Sequence, residues 1–329
     1  MNLIGDHTDY AGGLALPCAI DLGVTITGRF IDHRIEVSSD VQTGSVSFDL
    51  DDPPDIATLE PTWGRYIAAV REELPTQRGI DALITSDLPV GAGLSSSAAL
   101  EIATALALGF DGAPMELALL GQRSEHRAVG VPCGLLDQLS ITFGRAGHAM
   151  LIDFTDLSID QVAFPDDLDI VVVHSGEERR LVDSQYDERR ASCERAARII
   201  GPLATATPDD LDQLDDHLRR RARHVVTECE RVRQAAAALR SGDATTVGRL
   251  MAQSHASLRD DFEVSTPTLD ELVVRMASTP GVFGARLTGA GFGGCVVALC
   301  ARGAIADANS ITGRGWIVRP SDAATLRLV

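Results

Sequence analysis

The sequence predicts a two-domain α+β protein, and three observations carry that expectation. Its 329 residues exceed the roughly 100–200 of a typical single domain. A strand-rich first half gives way near residue 155 to a helix-rich, heavily charged middle. Neither half shows the strict strand–helix alternation of a doubly wound sheet, so helices and strands are expected to segregate.

Taken in order, residues 14–30 (LALPCAIDLGVTITGRF) mix β-branched residues with Gly and Pro and read as strand–turn–strand. Residues 33–50 alternate polar and apolar side chains, as strands with one buried face do. DDPPD at 51–55 is a loop, and WGRYIAAVREEL at 63–74 places its apolar residues at helical spacing. A short strand at 80–85 leads into the glycine-rich stretch 88–93 and an apolar helix over 96–108. Helices follow near 114–128 and from about Leu135, separated by a loop at 129–134. Strands are expected at 149–154 and 168–174, and mostly helix from Ser184 to about Ser241. Leu269–Ser278 reads as a helix, and Val282–Leu299 as strand, glycine loop, strand.

Composition narrows the function. A net charge of −18 and a pI near 4.7 argue against nucleic acid or an anionic membrane surface as partner. Lysine is absent, so arginine carries all the side-chain positive charge and any lysine-dependent mechanism is excluded. Lysine avoidance with heavy use of Ala, Arg and Asp also fits a GC-rich genome. Six cysteines are scattered without a CxxC pair or metal-ligand spacing, which fits reduced thiols in a cytoplasmic protein. No charged n-region leads into an apolar stretch, and no apolar run approaches the roughly 20 residues of a membrane span.

Two glycine-rich segments carry chemistry. In LPVGAGLSSSAA at 88–99, Gly91 and Gly93 let backbone N–H groups approach an anion, and three serines then open a helix. The first N–H groups of such a helix lack partners and carry the positive end of its dipole, which makes a phosphate site. A tight turn with a serine N-cap would look similar. The lysine of a P-loop is missing. TGAGFGGC at 288–295 lies between two apolar stretches. A hairpin turn accounts for it, but its four glycines in six residues fit backbone crowding against a ligand better.

Three segments together resemble the GHMP kinase family, and within it the galactokinase branch: NLIGDHTDYAGG at 2–13, LPVGAGLSSSAA at 88–99 and ARLTGAGFGGC at 285–295. The likeness continues through EHRAVGVPCGLLDQ (125–138), YDERR (186–190), RARHVVTECERV (221–232) and SHASLRDDFEVS (254–265), covering nearly the whole chain. HTDY and RARHVVTE are what set this branch apart from mevalonate and homoserine kinases. The resemblance implies a ribosomal S5 domain 2-like N-terminal domain over 1–155 and an α/β-plait C-terminal domain over 156–329.

It also implies ATP-dependent phosphorylation of the anomeric hydroxyl of galactose or a close relative, by a monomer or weak oligomer. Asp137 matches the catalytic aspartate that accepts the hydroxyl proton, a modest demand because phosphoryl transfer rests on positioning and electrostatics. Without the resemblance, Asp137 reads as a first-turn aspartate meeting a helix dipole. Ser97 and Glu125 match the positions that hold Mg²⁺, and Asp6, His7, Asp9, Gly134 and Tyr186 match sugar-binding positions. ATP is assigned to Gly91, Ala92, Gly93, Leu94, Ser95, Ser96, Ser97 and Ala98, with Gly289 and Gly291 of the third segment.

Three departures qualify the match. The family carries Pro-Gly-Arg ahead of the segment matching Asn2, and its arginine faces the catalytic aspartate. Here Met1 fills the slot after that arginine, so a miscalled start that clips the first strand is expected, with Pro-Gly-Arg encoded in phase upstream. Asp6 stands where the family carries glutamate, which loosens the expectation at the far end of the sugar and keeps arabinose, fucose-like and uronic sugars open. Ala290 replaces a common glycine, with little effect unless that position needs positive φ. Two further functions remain: a GHMP kinase acting on another small molecule, and a catalytically impaired sugar- and ATP-binding sensor.

Overall fold

A computed structural model describes residues 1–88, 93–130, 133–177 and 182–328, including the side chains of all but 182–184. Strands are β1 (Leu14–Ala15), β2 (Val24–Asp32), β3 (Arg34–Ser39), β4 (Ser45–Asp49), β5 (Arg78–Ser86), β6 (His148–Asp153), β7 (Ser158–Ala163), β8 (Leu168–His174), β9 (Val282–Thr288), β10 (Cys295–Ala301) and β11 (Gly315–Val318). Helices are α1 (Gly64–Glu73), α2 (Ser96–Ala107), α3 (Pro114–Val129), α4 (Leu136–Phe143), α5 (Val182–Ile200), α6 (Asp216–Arg240), α7 (Ala244–Asp260), α8 (Pro267–Ala277) and the short α9 (Asn309–Thr312). The α+β expectation is met.

The chain packs as two compact units, and they interleave in sequence. One holds Met1–Asp21, Gly91–Gly93 and Arg145–Ser321; the other holds Leu22–Val90, Leu94–Gly144 and Asp322–Val329. The division differs from the composition change near 155 because Leu14 and Ala15 of β1 pair antiparallel with Asp153 and Ile152 of β6. That pairing ties the opening residues to the later part of the chain. The strands within 14–30 accordingly do not form a hairpin, since β2 pairs with β5 instead.

The second unit is a sheet of order β2-β5-β3-β4, with β3 and β5 parallel. Strict alternation puts Ile35 and Val37 of β3 and Val46 and Phe48 of β4 on its buried face. Those side chains share one core with Trp63, the N-cap of α1, Ile67 of α1, Ile102 of α2 and Leu117 of α3. This core fixes where α2, α3 and α4 start and end.

The first unit contains an antiparallel sheet of order β11-β8-β10-β9 and a smaller one of order β1-β6-β7. Every residue of β8 is buried, and so are six of the seven in β10, which is why LDIVVVH and CVVALCA show no alternation. Long helices start at side-chain caps: Asp215 accepts from Leu218 N–H, Asp243 from Thr246 N–H and Thr266 from Leu269 N–H. Helix α7 meets β9 backbone to backbone. A Cβ on Gly248 would lie 2.1 Å from the Phe283 carbonyl oxygen, and one on Gly284 would lie 2.1 Å from that of Gly248. All six cysteines are free thiols, and all but the half-buried Cys133 are buried. No helix among the described residues is long and apolar enough to cross a membrane.

Candidate functional site

In the second unit, three helix segments bring together the predicted phosphate, metal and catalytic residues. Gly93 and Ser95 both sit at positive φ (77° and 60°), so the chain turns sharply into α2. Ser95 is the N-cap yet makes no side-chain cap bond among the described residues. Ser96, Ser97 and Ala98 form the first turn, where unpaired N–H groups and the helix dipole favour an anion. Leu94 is buried and anchors the turn. Gly91 and Ala92 lie outside the described residues.

Glu125 of α3 is half-buried, and its Oε2 accepts a hydrogen bond of 3.1 Å from Gln138 Nε2 of α4. Burial raises its pKa above the ordinary carboxylate value; the Ser97 hydroxyl opposes that rise and the Asp137 charge adds to it. Ser97, Glu125 and Asp137 thus share one electrostatic neighbourhood. Asp137 stands in the first turn of α4, half-buried, and Gly134 precedes that helix. Sequence reasoning missed Glu101, one helical turn beyond Ser97. It is fully buried beside Glu125 and Gln138, and burial and then Glu125 raise its pKa well above the ordinary value. A neutral acid is what such a site holds. Among the described residues, no group of three His, Cys, Asp or Glu side chains is arranged to hold a metal ion.

In the first unit the signature segment forms a tight loop against the third glycine segment. Gly5 needs its positive φ of 100° and its missing side chain, because a Cβ there would lie 2.6 Å from the Leu14 carbonyl oxygen. The buried Thr8 hydroxyl is shared between the carbonyls of Gly5 (2.9 Å) and Leu14 (2.8 Å). Asp6 is buried with both carboxylate oxygens engaged: Oδ1 accepts from Gly289 N–H at 2.9 Å, and Oδ2 pairs with the fully buried Arg286. Arg286 also donates to the Leu3 carbonyl at 3.2 Å.

His7 follows at φ 62°. Its Nε2 lies 3.1 Å from the Ala290 carbonyl, which can only accept, so Nε2 carries the proton and Nδ1 accepts from the Tyr10 hydroxyl at 2.9 Å. Burial, then the neighbouring His224, lower its pKa to about 3, and the ring is neutral. It packs against Phe262 (centroids 4.8 Å apart) and Tyr186 (5.7 Å), and Tyr10 meets Tyr186 edge-on at 5.5 Å. Asp9 opens a short 3-10 turn, Asp9–Ala11. The structure therefore gathers Asp6, His7, Asp9, Tyr186 and Gly289 in one unit.

Positive φ is required at Gly289 and Gly291 (both 80°), and a Cβ on Gly291 would lie 2.4 Å from the Val264 carbonyl oxygen. Ala290 is not among the positive-φ residues, so its methyl group is unstrained, as expected. The residues that sequence reasoning missed here are Arg286, Phe262, His224 and Glu228. Their only signal was that they sit in segments that carry the family likeness.

The family model for the GHMP kinases N terminal domain matches residues 63–145, that for the GHMP kinases C terminal matches 235–314, and the galactokinase galactose-binding signature matches 1–30. The chain is 42% identical to a galactokinase of Roseiflexus sp. (strain RS-1), over 98% of this chain and 90% of that protein. It is 43% identical to a galactokinase of Chloroflexus aggregans over 91% and 81%. Among solved structures, Lactococcus lactis galactokinase complexed with galactose superposes with a TM-score of 0.88 at 33% identity, covering 98% and 92% of the two chains. The mevalonate kinase of L. major, at 21% identity and TM-score 0.70 over 98% and 94%, shares the fold.

Proposed function

Because the chain belongs to the GHMP kinase family, and within it to the galactokinases, we propose that it transfers the γ-phosphate of ATP to the anomeric hydroxyl of galactose. The observation that carries this reading is the signature loop itself. It lies within residues 1–30, which the galactose-binding signature matches, and its His7 packs there against Tyr10, Tyr186 and Phe262. Asp6, His7, Asp9, Gly134 and Tyr186 are assigned to the sugar.

The start of α2, from Gly93 to Ala98, is assigned to the ATP phosphates together with Gly91, Ala92, Gly289 and Gly291. Ser97 and Glu125 fit Mg²⁺: they are two neighbouring oxygen donors, and a hard octahedral cation takes one or two protein oxygens beside phosphate and water. Bound there, the ion would neutralise phosphate charge as it develops. Asp137 takes the proton of the sugar hydroxyl as the new P–O bond forms. It stands half-buried in the first turn of α4. The family's own division would run 1–155 and 156–329, although the signature loop packs with the later part of the chain; the enzyme is assigned to the cytoplasm.

The test is ATP-dependent formation of a sugar 1-phosphate, followed by phosphorus NMR over a panel of galactose, arabinose, fucose and galacturonate. Galactose is expected to show the highest kcat/KM. D137N is expected to lose at least about a hundredfold in kcat, the low end for removing a positioned base, with unchanged thermal stability. Turnover of mevalonate or homoserine with no sugar phosphate would overturn the assignment.

A further inference from the structure

Helix α6 runs beneath the signature loop, and its RARHVVTE stretch has no role in the chemistry above. His224 and Glu228 lie four residues apart on it, so they share one face, and both are fully buried. His224 Nε2 is 3.0 Å from the Asp6 carbonyl, which can only accept, so that nitrogen is the protonated one; Nδ1 lies 3.0 Å from the Ser257 hydroxyl, which also reaches Asp261 Oδ2 at 3.3 Å. One turn along, Glu228 Oε1 accepts from Gly5 N–H at 3.0 Å, and its Oε2 accepts from Arg231 Nε at 2.7 Å. Successive turns of one helix therefore grip the N–H of Gly5 and the carbonyl of Asp6. From β9, Arg286 holds the Leu3 carbonyl and the Asp6 carboxylate.

The charges are consistent with this frame. Glu228 stays ionised despite complete burial, because the Arg231 and Arg286 charges and the Ser254 hydroxyl outweigh the burial that pushes its pKa up. Burial keeps the His224 ring neutral. The next residue after Asp6 is His7, at positive φ, so the held peptide determines where its backbone enters the loop, while Tyr10 and the Ala290 carbonyl take its two ring nitrogens.

We propose that His224 and Glu228 are positioning residues for sugar recognition, fixing the Gly5–Asp6 backbone so that His7 and Asp9 face the substrate in one conformation. This rests on the galactokinase reading for its kinetic test but not for its structural one.

His224→Phe keeps the ring size and removes the donor to Asp6, whereas His224→Gln can place an amide N–H near the same point. For H224F, the KM for galactose is expected to rise about tenfold, roughly the worth of one buried hydrogen bond, with the KM for ATP unchanged. H224Q is expected to recover most of that loss. Hydrogen exchange of a peptide covering residues 1–13 should quicken in H224F and return towards wild type in H224Q. Should H224F fail to fold, Ser257→Ala, which removes the hydroxyl beside Nδ1, is expected to move the galactose KM and the exchange in the same direction by less. Equal rises in both KM values, or no change in the galactose KM or in exchange of residues 1–13, would overturn the proposal. If the wild-type protein phosphorylates no sugar, the galactokinase reading fails, and the exchange comparison still decides the positioning role.

Discussion

Asp6 and Arg286 form a buried ion pair that links the signature loop to β9, and removing either partner should cost more than removing both. In D6A, the guanidinium of Arg286, fully buried, loses its counter-charge, a change worth about 3–5 kcal/mol when a buried pair is broken. The same substitution removes the acceptor of Gly289 N–H. R286M leaves Asp6 buried with only that N–H and should destabilise by a similar amount. The double variant D6A/R286M strands no charge, so its loss should fall below that of either single variant. The coupling energy is then at least about 3 kcal/mol, well beyond the roughly 0.5 kcal/mol of independent sites. D6N should fall between, because its amide oxygen can still accept from Gly289. Equilibrium urea unfolding with linear extrapolation measures each value, provided the slopes agree. Additivity of the two single variants within about 0.5 kcal/mol, or a D6A cost below about 1 kcal/mol, would refute the reasoning.

Two further outcomes are expected. Gly248→Ala and Gly284→Ala should each destabilise by at least about 2 kcal/mol, since the new methyl group meets backbone and cannot turn aside. Gly23→Ala, with nothing within 4 Å of its Cβ, should stay within about 0.5 kcal/mol in the same unfolding assay. Acid should weaken the fold before the carboxylates titrate. The folded pKa of His7 is depressed from 6.5 to about 3, so the unfolded chain binds a proton that the folded chain refuses between those values. Stability from this group is complete above 6.5 and declines as the pH falls, by about 2 kcal/mol at about pH 5. His224 shifts in the same direction. A urea midpoint that stays flat from about pH 7 to about pH 5 would contradict this.

The legible parts of the fold were those whose periodicity reports burial directly. The alternation of 33–50 gave β3 and β4 their inward faces, and the spacing of 63–74 gave α1. Segments shaped by distant partners were not legible. Helix α7 carries a glycine in its middle, which reads as a weak point until β9 is seen against it. Strand β7 and the four-residue β11 are too short or too polar to stand out without their sheet neighbours. The candidate site followed the same rule. HTDY and CGLLDQ announce polar residues worth watching, but Asp6 finds Arg286 after 280 residues and His224 finds the Asp6 carbonyl across 218. No local pattern records such pairings. The change of composition near 155 likewise misses the pairing that joins β1 to β6.

The bare contact between Gly248 and Gly284 also acts as the zero of two rulers. From it, seven residues of helix advance about 10.5 Å to His255, and three residues of strand advance about 10 Å to Leu287. Helix and strand meet again there, where Leu287 N–H donates to His255 Nδ1 at 3.4 Å. Equal lengths from a common origin set the register of α7 on β9.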